Sequence, residues 1–235
     1  MRGAFAIALR PLRRVASMLA LLIFVCTLRA AAAQAPASPA TSSDQPTITY
    51  RRVFEHITPE FIEVILRQDG TAKVDVRQLS DPPSPQEFTV RPAYRDQIFD
   101  LARQLRNFQN VDLEVRKRVA FMGKKTLRWD RGADTYQTEY NYTVDPKALQ
   151  LQKLFDNLAQ EQSDLTLLQE RLRFDRLGAD QYLGQFEGHL NDGVLPQPER
   201  FLPVLDKIAD DTRLFEIARQ RARSLAARIR AGQAQ

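Results

Sequence analysis

Cysteine is nearly absent from this sequence. Cys26 is the only one in 235 residues, and it lies in an apolar N-terminal segment. A chain cut after that segment has no disulfide, thiolate metal site or cysteine nucleophile. Histidine is almost as scarce: only His56 and His189 occur, and neither falls in a His-x-x-x-His or His-Glu-x-x-His pattern. The nine glycines form no phosphate-cradling run. Gly123-Lys124-Lys125-Thr126 comes nearest, but Ala120 and Phe121 offer no glycine upstream, and a strand rather than a helix is expected to follow. It reads as a basic turn. Beyond Ile48 the serines are Ser80, Ser84, Ser163 and Ser224, and none sits in Gly-x-Ser-x-Gly. These absences remove the common signatures of metal, nucleotide and serine chemistry, and no cofactor is expected.

Long apolar runs are missing too. Val15 to Leu28 is apolar, but fourteen helical residues span roughly 21 Å, short of a hydrocarbon core of about 30 Å. Arg2, Arg10, Arg13 and Arg14 precede the run, and Ala30 to Ala33 follow Arg29. A basic start, a short apolar middle and a small-residue end are the parts of a secretory signal. Residues 1–33 are therefore read as a signal peptide, cut between Ala33 and Gln34. Val25 before Cys26 departs from a lipobox, and Val15-Ala16-Ser17 does not continue a twin-arginine motif. Sec export to the periplasm or medium of a bacterial cell is the expectation.

Removing the leader changes the charge. The chain has 34 Lys plus Arg and 29 Asp plus Glu, hence +5. The leader holds five Arg and no acid, so 34 minus 5 leaves 29 bases against 29 acids, a net charge of zero. Overall basicity thus gives no argument for nucleic acid. The partner expected is another protein of the envelope or secreted space, with membrane contact only if the N-terminal segment is retained.

Residues 34–47, rich in Ala, Pro, Ser and Thr, lack the apolar bulk to offset ordering entropy and read as a flexible tether. An α+β sheet domain is assigned to 48–160 and a helical subdomain to 161–231. Ile48, Tyr50 and Phe54 share one parity. Ile62, Val64 and Leu66 alternate before Asp69-Gly70, and Ala72, Val74 and Val76 alternate after it. A three-residue loop, Gln68 to Gly70, puts both sets on one face, opposing Leu66 to Ala72, with Gly70 left-handed. Phe88 and Val90 suggest a short strand. Pro92 opens a helix to about Asn107, carrying Ile98, Leu101, Ala102 and Leu105 at helical spacing.

A second hairpin, Lys125 to Asp130 and Thr135 to Val144, is expected around a loop from Asp130 to Ala133 that opposes Leu127 to Tyr136. Asp145-Pro146 caps the next helix, whose stripe is Leu149, Leu151, Leu154, Phe155 and Leu158. Leu165, Leu168 and Leu172 continue it or start another. Gly178 reads as a helix stop. Leu183, Phe186 and Leu190 mark one helix ending at Asn191-Asp192-Gly193, and Phe201, Leu205 and Ile208 another from Pro198. Asp210 or Asp211 should cap the last, to about Ile229. The fold class is α+β: an antiparallel sheet built from two β-hairpins with helices on one face, then a C-terminal α-helical subdomain.

Tyr136, Tyr140 and Tyr142 share a face with Leu127 and Trp129, which suits a core better than a ligand platform. Asn141-Tyr142-Thr143 is a glycosylation sequon. Asp210-Asp211 read as caps, and Glu63 and Asp75 as sheet-surface charges. The last helix carries Arg213, Arg219, Arg221, Arg223, Arg228 and Arg230 away from its apolar stripe, a solvated face that is also a candidate acidic-partner surface. No motif of a known family matches these residues. The leading expectation is a non-catalytic binding or scaffolding module. A carboxylate-dependent, glycan-active hydrolase is the alternative, and an inhibitor inserting Ser80 to Gln86 is the third reading.

Overall fold

The computed structural model describes residues 44–233. The leader, the Ala33–Gln34 cut and the tether through Ser43 lie outside the described residues, as does the side chain of Leu172. Six strands form one antiparallel sheet: β1 (Thr47–Val53), β2 (Phe61–Arg67), β3 (Thr71–Arg77), β4 (Gln86–Thr89), β5 (Lys124–Arg131) and β6 (Asp134–Tyr140), ordered β4-β3-β2-β1-β5-β6. Two hairpins, β2–β3 and β5–β6, flank β1, which pairs with both β2 and β5. Ile48 and Tyr50 at this central position are fully buried.

The β2–β3 register follows from apolar alternation. Leu66 faces Ala72, Val64 faces Val74 and Ile62 faces Val76, around the three-residue loop. Gly70 closes that loop at φ +95°, a conformation side chains rarely tolerate, and its carbonyl accepts from the Val90 N–H at 2.8 Å. The second hairpin differs from expectation. Its loop is Gly132-Ala133, and Leu127 faces Thr138 while Trp129 stacks on Tyr136, centroids 5.8 Å apart. A two-residue slip keeps every side chain on its face, so alternation alone does not fix it. The β6 strand ends at Tyr140, leaving Tyr142 and Val144 exposed beyond it.

Helix α1 (Pro92–Gln104) starts at its proline and buries Ile98, Leu101 and Ala102. It stops short of Asn107 because Arg106, Asn107 and Phe108 turn left-handed at φ 55°, 50° and 67°. Such residues cost about 1–2 kcal/mol each, offset here by full burial of Phe108. Helix α2 (Pro146–Phe174) is one continuous rod of 29 residues, about 43 Å long. The Asp145 carboxylate caps it, accepting from the N–H groups of Lys147 at 2.8 Å and Ala148 at 3.0 Å. Leu149 departs from the expected stripe and is exposed.

Helices α3 (Ala179–Asn191), α4 (Leu202–Asp210) and α5 (Glu216–Gln233) follow, with a 3-10 turn over Pro198–Phe201. Gly178 is the N-cap of α3 rather than a stop for α2. The last helix begins at Glu216, and Asp211 ends α4 instead of capping α5. The N-terminal half of α2 lies on the sheet with α1, and one apolar cluster runs from Ile48 to Ala159. Its C-terminal half packs with α3, α4 and α5 in a second cluster, from Leu165 to Ile229. The shared helix therefore carries both cores.

Candidate functional site

Between the two cores the α2 stripe turns polar. Continuing Leu158 by three or four residues reaches Glu161 and Gln162, where apolar side chains would extend the stripe. Glu161 is fully buried. Its carboxylate accepts from Arg200 at 2.8 Å and from the Gln197 N–H. Burial pushes the Glu161 carboxyl up, although Arg200 and the Gln197 N–H oppose it. Arg200 also donates to Gln162 at 2.7 Å and lies 3.7 Å from the centre of the Phe88 ring. Gln197 donates to the Thr89 carbonyl at 2.9 Å, so this polar layer ties α2 and the helical region to β4.

A groove of about 660 Å³ opens beside the layer, between α2 and the β2–β3 side of the sheet. Its apolar floor includes Ile62, Val74 and Val76, while Gln160, Ser163, Thr166 and Gln185 supply amides and hydroxyls. The loop through Asp81, Pro82 and Ser84 forms another wall. A second hollow of about 590 Å³ shares Ser84, Gln86, Thr166 and Glu170 with the first. Arg173, Arg176, Lys207 and Arg213 line this extension, against Glu170 and Asp211. The groove thus runs from an amide-rich section to a basic end.

Three groove carboxylates stand on α2: Asp156 and Asp164 are engaged, and Glu170 is exposed where the groove meets its basic extension. Asp156 accepts from the Tyr50 hydroxyl at 3.0 Å, from Arg52 and from Gln152. Burial, reinforced by Asp156, holds the Tyr50 hydroxyl far above its ordinary pKa. Asp164 is buried, 2.6 Å from His189 Nδ1, and accepts from Gln160 at 2.9 Å. Burial raises the Asp164 carboxyl against the opposing pull of His189 and Gln160. Asp156 and Asp164 lie eight positions apart and Asp164 and Glu170 six, about 12 Å and about 9 Å along the helix axis.

The other sequence candidates are dispersed. His56 lies exposed in the β1–β2 loop, its N–H donating to Glu60. Lys125 of the basic turn is buried, donating to the carbonyls of Met122, Gly123 and Asn141 at 2.9, 3.2 and 2.8 Å. Burial, then the nearby Arg52, lowers its pKa. Glu63 pairs with Arg51, and Asp75 with Arg77. Asp211 pairs with Arg213, which draws its carboxyl down to about 2.

The arginines of α5 are engaged inside the helical region. Arg221 reaches Asp180 and Glu187, Arg228 reaches Glu187, and Arg230 reaches Asp206. Arg219 and Arg223 pair with Glu216. Among the described residues no cluster of three metal-ligating side chains occurs, and no helix is long and apolar enough to cross a membrane. No family model matches the chain, and no curated protein shows significant similarity to it.

Proposed function

We propose that the chain is an exported, non-catalytic module whose groove along α2 holds an extended polypeptide segment of another envelope or secreted component. The observation that carries this reading is the state of the groove's acids. Asp156 and Asp164 are bound to internal partners and Glu170 stands exposed where the basic extension begins, while amides and hydroxyls line an apolar floor. Gln160 donates to Asp164, Ser163 to the Ala159 carbonyl and Gln162 to Thr166, and their remaining donor and acceptor positions match a peptide backbone, while the apolar strip takes side chains. The basic extension suits an acidic residue on the bound segment. Ser80 to Gln86 serves this reading as a wall, held by the bond from the Ser84 N–H to Asp75 at 3.3 Å. The competing hydrolase reading draws on the raised Asp164 beside His189.

A photocrosslinker at Gln185, in the groove, should capture one polypeptide in the native compartment. The same probe at Gln137, on the exposed sheet face, should not, and Thr166→Arg should abolish the Gln185 capture. Equal capture at both positions would refute the groove, and polysaccharide turnover lost in Asp164→Asn would favour the hydrolase.

A further inference from the structure

One end of the sheet gathers the β1–β2 loop, the segment before β5 and the segment after β6, because Val53 pairs with both Phe61 and Lys124, and Lys125 pairs with Tyr140. Six of the twelve exposed large apolar side chains among the described residues project from these segments: Ile57, Val119, Phe121, Met122, Tyr142 and Val144. Phe121 is 60% exposed, Met122 49% and Ile57 47%. Their loop is firmly built. Lys125 holds three carbonyls around it, and Asn141 accepts from the Met122 N–H and donates to the Ala120 carbonyl at 3.0 Å. Phe121 stands edge-on to Phe54, centroids 5.7 Å apart. A Cβ added at Gly123 would come within 2.8 Å of Phe54, so the loop is seated closely on that ring.

The segment before β5 is basic, while Glu55 and Glu60 flank Ile57 in the β1–β2 loop. Residues 115 to 125 contain Arg116, Lys117, Arg118, Lys124 and Lys125, and no acid. Arg116 pairs with Asp112 at 3.4 Å and Lys124 with Glu139 at 2.7 Å, while Glu114 accepts from the Asn141 N–H. Lys117 and Arg118 are exposed and have no ion pair among the described residues. A fixed loop that keeps aromatic and aliphatic side chains in water gains nothing for folding and marks an interaction surface. Exposed apolar groups beside the unpaired cations Lys117 and Arg118 match the boundary of an anionic bilayer, where headgroups meet the basic side chains and acyl chains the apolar ones.

We propose that this tip docks the folded protein on an anionic lipid surface, inserting Phe121 and Met122 while Lys117 and Arg118 engage lipid phosphates. The contact is separate from the N-terminal segment and does not depend on occupancy of the groove. The test is co-sedimentation of protein purified from its native host with phosphatidylglycerol or phosphatidylcholine vesicles. Wild type should sediment with the anionic vesicles only. Phe121→Ser/Met122→Ser and Lys117→Glu/Arg118→Glu should each weaken that binding about tenfold or more. Arg103→Glu, an exposed charge change on α1, should leave it within twofold. Three results would overturn the proposal: no anionic binding by wild type, an equal loss in Arg103→Glu, or an unaffected serine variant. Capture of a protein at the tip without vesicle binding would overturn it too.

Discussion

Replacing Arg200 with Met isolates the polar layer between the two cores. Arg200 is mostly buried beside the fully buried Glu161, which it contacts at 2.8 Å. Removing one member of a buried pair typically costs about 3–5 kcal/mol, because the other charge is left uncompensated. Glu161 has an escape, since it can bind a proton. From an ordinary carboxyl value of 4.5, protonation costs nearly 5 kcal/mol at pH 8 and under 1 kcal/mol at pH 5, at about 1.4 kcal/mol per pH unit. Arg200→Met should therefore lose about 3–5 kcal/mol at pH 8 but only about 1–2 at pH 5. The lost bond to Gln162 and contact with Phe88 account for the remainder at low pH. Adding Glu161→Leu should recover most of the pH 8 loss. Urea unfolding at both pH values measures each term. Equal losses at pH 5 and pH 8, or a pH 8 loss below about 1 kcal/mol, would refute the reasoning.

Glu161→Gln should change the pH profile of stability. Burial raises the Glu161 carboxyl in the folded chain, so its contribution is present below the ordinary value of 4.5 and fades as pH climbs through the raised value. The variant's melting temperature should gain on wild type across that rise, and parallel profiles would count against it. Gly70→Val forces a branched side chain to φ +95°, with its Cβ 3.1 Å from the Val90 carbonyl. It should cost about 1–3 kcal/mol in thermal melts, and Gly70→Asn less; equal costs would contradict the left-handed turn. Phe155 is fully buried and stacks on Tyr50, centroids 5.3 Å apart. Phe155→Ala should cost about 3–5 kcal/mol in urea unfolding, and a loss under 1 kcal/mol would remove it from the core.

Legibility in the sequence tracks how local each signal is. The β2–β3 hairpin was readable because alternation and the Gly70 turn constrain the same register. The β5–β6 register was not, since both pairings put Leu127, Trp129, Tyr136 and Tyr140 on one face, and the choice rests on the Gly132-Ala133 turn. Asp145-Pro146 marked the start of α2, but nothing local said whether Leu158 and Leu165 shared a helix. The groove joins β2, β3, α2 and α3, with lining residues from Ile62 to Gln185, and no short window contains it. One sign of the polar layer was present: Glu161 and Gln162 interrupt the spacing that links Leu158 to Leu165. Read as a break in an apolar stripe, they point to a buried polar contact.

A groove for an envelope or secreted polypeptide requires the folded region to work outside the cytosol, so the most direct measurement is the first residue and the compartment of the protein made by its native host. N-terminal sequencing should begin at or beside Gln34, in the periplasmic or secreted fraction. A chain that starts at Met1 and fractionates with cytosolic markers would contradict the account.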